Sequence, residues 1–436
     1  MGMPVRHVYN LLTYLLRPFA FAVVLWRGLG NRSYWQGLGE RFGFGPRHTG
    51  SPVGSSVWVH AVSLGEVTAA APLLRALRMR HPGLPLVLST ATPTGRVRAR
   101  ALFGESVTVR YLPYDTPGSM KRFLSGVRPR VAVIMETELW PNLYRQCRRS
   151  GIPVVLANAR LSARSAARYR RFGLLFREVF AGDTFVAAQS AGDAERFISI
   201  GAAPARTSVM GNLKFDVEVD TAVVARGAEL RSDSWNSRAV WIAGSTHAGE
   251  EDLVLAAHAG LQRGLPGALL LLVPRHPDRF QPVADLLTRR GLRFERRSSG
   301  NAVPPDVPVL LVDTVGELAS LYAAVDVAFV GGSLVPVGGH NLLEPAALGV
   351  PVIAGPYQEN AREVAELLLR ERALVQVTDA AQLAAQLESL FADPQRRRQM
   401  GASAQRVVAH NRGSVKRLLA LIESRWVALQ DPGVGP

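Results

Sequence analysis

The residues with the most chemistry in this 436-residue chain stand where short apolar runs stop. Val57-Trp58-Val59-His60-Ala61-Val62 reads as a buried strand. It passes through Ser63-Leu64-Gly65 to Glu66, which opens a helix whose Val67, Ala70, Ala71, Leu74 and Leu77 share one face. Glu66 therefore falls at a helix start and at the carboxyl end of a strand, where open α/β sheets bind their ligands and a carboxylate can accept a proton. The plainer reading is a charge facing a helix dipole, worth about 0.3–1 kcal/mol. The run 131–135 delivers Glu136 and Glu138 in the same way. Lysine occurs only at Lys121, Lys214 and Lys416 in a chain rich in arginine. Retention of a compact ammonium at Lys214 suggests a place where a planar guanidinium would not fit, although a surface lysine between domains reads almost as well. His60, His247, His276 and His340 also lie at strand ends or helix starts, and each taken singly reads as a hydrogen-bonded structural histidine.

The stretch 331–356 has the clearest outline of a site. Apolar runs of strand length lie on either side, and between them Gly338-Gly339 precede a segment from His340 to Leu348 that can form a helix. Free amides at such a helix start attract a phosphate, and Glu344 could hold the hydroxyls of a ribose. Glycines between a strand and a helix are equally plain turn chemistry. Several signatures are absent: the G-x-x-x-x-G-K-[ST] loop, H-E-x-x-H, G-x-S-x-G and a strict Asp-x-Asp. With no metal clamp in view, phosphate charge falls to backbone amides, Arg275 and Lys214.

The elements that must position these residues alternate between strand and helix patterns, which argues for parallel sheets in doubly wound α/β domains. A Gly/Pro/Ser-rich connector covers 43–56, and 209–216 reads as the bridge between two domains. The composition is globular, with 47% hydrophobic and 20% charged residues. A net charge of +16 calls for acidic partners, and the single Cys147 excludes an intrachain disulfide and a cysteine zinc site. Near the N-terminus, 11–26 is apolar apart from Arg17-Pro18. At 1.5 Å per residue it reaches roughly 24 Å, short of a bilayer core, so it reads as a marginal span or a helix lying in the interface. Arg27, Arg32, Arg41 and Arg47 follow it, which by the positive-inside rule leaves the bulk of the chain on the cytoplasmic side. A cleaved signal peptide is the alternative for this segment. Arg164, Arg168 and Arg171 share one helical face, either merely solvated or turned to an anionic membrane.

Taken together, several motifs resemble those of the 3-deoxy-D-manno-octulosonic acid (Kdo) transferases of lipopolysaccharide synthesis. They are Gly39-Glu40-Arg41-Phe42-Gly43, His60 to Glu66, Thr92-Pro93-Thr94-Gly95, Leu112-Pro113-Tyr114-Asp115, Glu136 to Asn142, Asn158-Ala159-Arg160-Leu161-Ser162, Gly211 to Asp216, Pro274 to Pro277 and the Gly-Gly-His-Asn-Leu-Leu-Glu-Pro run. The resemblance implies an α/β protein of the GT-B glycosyltransferase class, with two Rossmann-like doubly wound domains facing across a cleft and an N-terminal membrane anchor helix. The expected divisions are an anchor at 1–32, an acceptor-binding domain at 33–212 and a CMP-Kdo-binding domain at 213–436.

The same resemblance implies an inverting enzyme of the cell inner membrane, with its catalytic domains on the cytoplasmic face. It would move Kdo from CMP-Kdo to the lipid A precursor, lipid IV-A, using no cofactor and no metal. Carried over by motif, Glu66 is the general base, and Glu136 and Lys214 stabilise the transition state. Pro274, Arg275, Val315, Gly316, Glu317, Asn341, Leu342, Leu343 and Glu344 contact CMP. The expected partners are CMP-Kdo, the lipid A precursor and the anionic membrane surface, with no nucleic acid. Two competing readings are a GT-B enzyme using another nucleotide sugar, such as a UDP-hexose, and a basic non-catalytic protein binding anionic membrane or nucleic acid. The second lacks a basic tail and an aromatic nucleic-acid platform.

Overall fold

The computed structural model describes residues 3–45, 56–217, 219–235 and 238–427. Most of the connector expected at 43–56, Arg47 included, lies outside the described residues. The chain divides into two compact units, Met1–Asp216 with Arg412–Pro436, and Val217–Asn411. This differs from a second domain running over 213–436: the break falls after Asp216, and the C-terminal helix Ser414–Val427 returns to the first unit. Packing explains the return, because Leu418, Leu419, Ile422 and Trp426 are buried in one core with Val57, Val59, Leu73, Leu74 and Leu77. The Asp216 carboxylate accepts from the Gly413 and Val415 amides and so fastens the start of that helix.

The first unit carries β1 (Ser56–His60), β2 (Leu86–Thr90), β3 (Thr108–Tyr111), β4 (Pro129–Met135), β5 (Val154–Ala159), β6 (Thr184–Ala188) and β7 (Thr207–Val209). They form one sheet in the order β3-β2-β1-β4-β5-β6-β7, with every neighbouring pair parallel. Both faces are covered, which is why these strands read as unbroken apolar runs. Val57, Val59, Val131 and Val133 enter one core, while Trp58, Ala132 and Ile134 enter the other beside Phe123 and Leu143.

The second unit carries β8 (Val240–Thr246), β9 (Leu269–Pro274), β10 (Phe294–Arg296), β11 (Val309–Leu311), β12 (Val327–Val330), β13 (Val352–Ala354) and β14 (Leu374–Gln376). Its sheet is also parallel, in the order β10-β11-β9-β8-β12-β13-β14. In each sheet the strand order reverses beside the first strand, between β1 and β4 and between β8 and β12. Such a reversal opens a crevice at the carboxyl ends of the strands.

The N-terminal helix runs from Met3 to Gly30, with Pro18 inside it. It is longer than the apolar run alone suggested: Val5–Gly30 is long and apolar enough to cross a membrane, at about 1.5 Å per residue.

Candidate active site

In the first unit, the two carboxylates expected to do chemistry leave the strands on either side of the reversal. His60 at the end of β1 is in register with Ile134 of β4, so Glu66 and Glu136 emerge from adjacent strands. Ser63 caps the helix Leu64–Arg80, with its hydroxyl accepting from the Glu66 amide at 3.4 Å. The Glu66 side chain turns back: Oε2 accepts from the Val62 amide at 2.9 Å, and Oε1 from the Ser63 hydroxyl at 3.3 Å. Burial pushes its carboxyl up to about 7, against the opposing pull of the Val62 amide, and the charges of Glu136 and Glu138 add to the rise. The structure therefore brings these three acids into one field. Glu138 is also pushed up by burial, and the Trp140 indole donates to its Oε2 at 2.6 Å.

Glu136 and Asn158 have φ of 55° and 52°, in the left-handed region that side chains avoid. Glu136 is held there by its amide donating to the Ala157 carbonyl at 2.9 Å. The carbonyl oxygen of the Asn158 side chain accepts from the Leu213 amide at 3.0 Å, and this fixes the short turn Leu213–Phe215 that carries Lys214. Leu213 is buried in the same core as Val67, one residue past Glu66. Lys214 is thus brought to the carboxyl edge of this sheet, and among the described residues it makes no ion pair.

In the second unit, a cluster forms across its own reversal. The Nε2 atoms of His247, after β8, and His340, after β12, lie 2.8 Å apart with their rings nearly parallel at 10°. His276 meets the His247 ring edge-on at 5.7 Å. Burial lowers His340 to about 4, and His247, Arg275 and His276 depress it further. His247 is lowered for the same first reason. The amide of Arg275 donates to the Thr246 carbonyl at 3.0 Å; burial raises the Glu344 carboxyl, and the Asn341 hydrogen bond and then the Arg275 charge counter only part of that rise. Glu344 Oε1 accepts from the Asn341 side-chain amide at 3.0 Å. Arg275, Asn341 and Glu344 are therefore brought together, with Pro274 ending β9 beside them. Val315, Gly316 and Glu317 precede the helix Leu318–Ala323, whose buried Tyr322 feels the Glu344 charge. Val315 is 78% exposed, and Glu317 is paired with Arg297 at 2.9 Å.

One expectation for this unit is corrected. The helix read over His340 to Leu348 is only Leu343–Ala347, too short to build a useful dipole. The Leu342 and Leu343 side chains are buried in the core, leaving only their backbone to meet a ligand. Closer to the end of β12, and apart from the segment that starts at His340, Glu250 accepts from the amides of Gly332 at 2.7 Å, Ser333 at 3.0 Å and Leu334 at 2.9 Å. Gly331 and Gly332 permit this approach, since a Cβ on Gly331 would lie 2.7 Å from the Ser245 carbonyl and Gly332 has φ of 66°.

Sequence reasoning missed Glu250, Asn158 and the pairing of His247 with His340. The available signal was that all these residues stand at strand ends in two series of the same design. His60 proves structural: it is fully buried, its Nδ1 lies 2.9 Å from the Ser89 hydroxyl, and burial lowers it to about 4.

Comparison with known proteins bears on both units. Residues 36–217 match the family described as 3-deoxy-D-manno-octulosonic-acid transferase, and residues 302–407 match glycosyl transferases group 1. A 3-deoxy-D-manno-octulosonic acid transferase of Haemophilus influenzae is 39% identical over 96% of this chain and 98% of its own length. One from Bordetella pertussis is 38% identical over 97% and 99%. Among solved structures, the UDP-GlcNAc 2-epimerase of Neisseria meningitidis covers 85% of this chain and 100% of its own, with a TM-score of 0.55 at 14% identity. That likeness shows the fold alone, two Rossmann-like domains of the GT-B class.

Proposed function

The chain belongs to the 3-deoxy-D-manno-octulosonic acid transferase family, a family of glycosyltransferases in lipopolysaccharide synthesis. From that premise we propose that it transfers Kdo from CMP-Kdo to the lipid A precursor, lipid IV-A, with inversion and with Glu66 as general base. The observation that carries this reading is a carboxylate raised to about 7 by burial, standing beside two further acids where strand order reverses. A base is most effective when its pKa lies near the working pH. The acceptor hydroxyl gives its proton to the Glu66 carboxylate while its oxygen bonds to the anomeric carbon of Kdo. The bond from that carbon to the phosphate oxygen breaks, and CMP leaves with the electron pair.

Positive charge grows on the sugar as the donor bond stretches, and Glu136 opposes it. Negative charge grows on the phosphate, and Lys214 and Arg275 oppose that. Arg275, Asn341 and Glu344 form the polar group that receives the nucleotide, with Val315 to Glu317 beside it. These protein cations supply the countercharge in this reading, so transfer proceeds without a metal. The helix Val5–Gly30 and the arginines that follow it support a place at the inner membrane with the catalytic units on the cytoplasmic face.

The test is mass spectrometry of the lipid after the full-length protein is incubated with CMP-Kdo and lipid IV-A. We expect product heavier by whole Kdo residues, undiminished by EDTA, and product lowered by roughly 10²–10⁴ in Glu66→Gln. Near-normal product from Glu66→Gln would remove Glu66 from the role of base.

A further inference from the structure

Asp115 belongs to the Leu-Pro-Tyr-Asp motif, which the chemistry above leaves without a task. Its side chain is buried at 6% exposure, and three donors reach it. Two are backbone amides in the first turn of the helix Pro141–Arg149: Asn142 at 3.0 Å and Leu143 at 2.8 Å. The Asn142 side chain returns a bond to the Asp115 carbonyl at 2.8 Å, so that turn is gripped twice. The third donor is remote in sequence. It is the hydroxyl of Tyr9, on the N-terminal helix, at 2.8 Å.

We propose that Tyr9, acting through Asp115, positions the segment that carries Glu136, which makes the N-terminal helix a working part of the acceptor-side unit as well as a membrane anchor. The segment from Glu136 to Trp140 contains neither helix nor strand, and within it the Thr137 hydroxyl donates to the Arg160 carbonyl and Leu139 is buried. Upstream, the Glu136 amide is bonded to Ala157. Downstream, the helix that follows begins at Pro141, which has no amide hydrogen to offer, so the grip on Asn142 and Leu143 is what fixes the backbone at the far end of the segment. A buried carboxylate needs its donors to remain ionised, and burial already pushes Asp115 up to about 6 against the pull of these three bonds. Tyr9 supplies the one side-chain hydrogen bond to that carboxylate among the described residues.

Other contacts fix where Tyr9 stands. Phe21 meets the Phe42 ring at 5.1 Å, Arg17 lies over that ring at 5.4 Å, and the Trp35 indole donates to the Leu25 carbonyl at 3.1 Å. The helix is thus tied to its own unit at points spread from residue 9 to residue 25, roughly 24 Å of its length. A simple tether would need only its last turn attached.

This inference rests on the assignment of Glu136 to the reaction, so the test carries one readout that depends on activity and one that does not. Full-length wild type, Tyr9→Phe, Asp115→Asn and the double variant are prepared in the same detergent. Amide exchange is followed by mass spectrometry in peptides covering 136–143 and, as a check on folding, 56–60. We expect Tyr9→Phe to speed exchange at Asn142 and Leu143 about tenfold and to leave 56–60 unchanged. In Kdo transfer we expect kcat to fall about tenfold with KM for CMP-Kdo unchanged, and Tyr9→Phe to have no further effect in the Asp115→Asn background. Unchanged exchange over 136–143 would overturn the proposal, as would additive losses in the double variant. An inactive wild type would overturn the function reading instead, while the exchange comparison would still decide the role of Tyr9.

Discussion

A carboxyl group raised toward neutrality suits a general base and burdens the fold. The Glu66 carboxyl rises from 4.5 to about 7, chiefly through burial. Because the folded value lies above the unfolded one, its contribution to stability is fully present below about pH 4.5 and is lost as pH rises through about 7. The Glu66→Gln variant carries no such term. Its melting temperature should exceed that of the wild type at pH 8, and the gap should close by pH 4.5. Transfer by the wild type should rise with pH through about 7, as the base ionises. A gap that persists unchanged to pH 4 would mean that the side chain is not buried as an acid. Glu66 and Glu136 were legible in sequence because each follows an apolar run of strand length, and such runs end at ligands. The left-handed backbone of Glu136 was not legible, since nothing in its residue type favours it. Nor was the burial of Leu342 and Leu343, which depends on which way a very short helix rolls.

At the scale of elements, the second unit sets which groups meet at its strand ends. The loops after β8 and β12 place His247 against His340, and Glu250 takes up the amides of Gly332, Ser333 and Leu334. At 2.8 Å there is room for one proton between the two Nε2 atoms. Burial, then His247, Arg275 and His276, hold His340 near 4, and burial, then His276, Arg275 and Arg279, lower His247. An anion bound beside these cations reverses that bias and favours a second proton. Binding of CMP at pH 5.5 should therefore take up protons, and the uptake should vanish in His340→Gln. Calorimetry in two buffers of different ionisation heat measures this directly, and identical heats in both buffers would show that the pair does not respond. Central strands such as β1, β4, β12 and β13 were readable as apolar runs, whereas short ones such as β10 and β14 were not. The place of β11 between β10 and β9 was not, because strand order is set by crossovers that leave no local trace.

For the molecule as a whole, the decisive fact is that its last helix belongs with its first residues. Four large apolar side chains, Leu418, Leu419, Ile422 and Trp426, are buried in the core beneath the helix that carries Glu66. At about 1.5–3 kcal/mol for each buried side chain, their loss would cancel much of the 5–15 kcal/mol that holds an ordinary domain together. Truncation after Asn411 should therefore abolish cooperative unfolding of the first unit, whereas residues 217–411 alone should fold and melt as one. Calorimetric scans of the two fragments check this, and an intact first-unit transition in the truncated chain would refute it. Sequence reading placed that helix with its neighbours in sequence, since an amphipathic pattern says that a face is buried but not against what. The Asp216 carboxylate, bonded to Gly413 and Val415, adds a consequence for engineering. The points where the chain leaves the first unit and re-enters it are clasped together, so residues 217–411 form a cassette. A linker of a few residues from Asp216 to Arg412 would close the first unit on itself, and another cassette could be spliced in at the same two cuts.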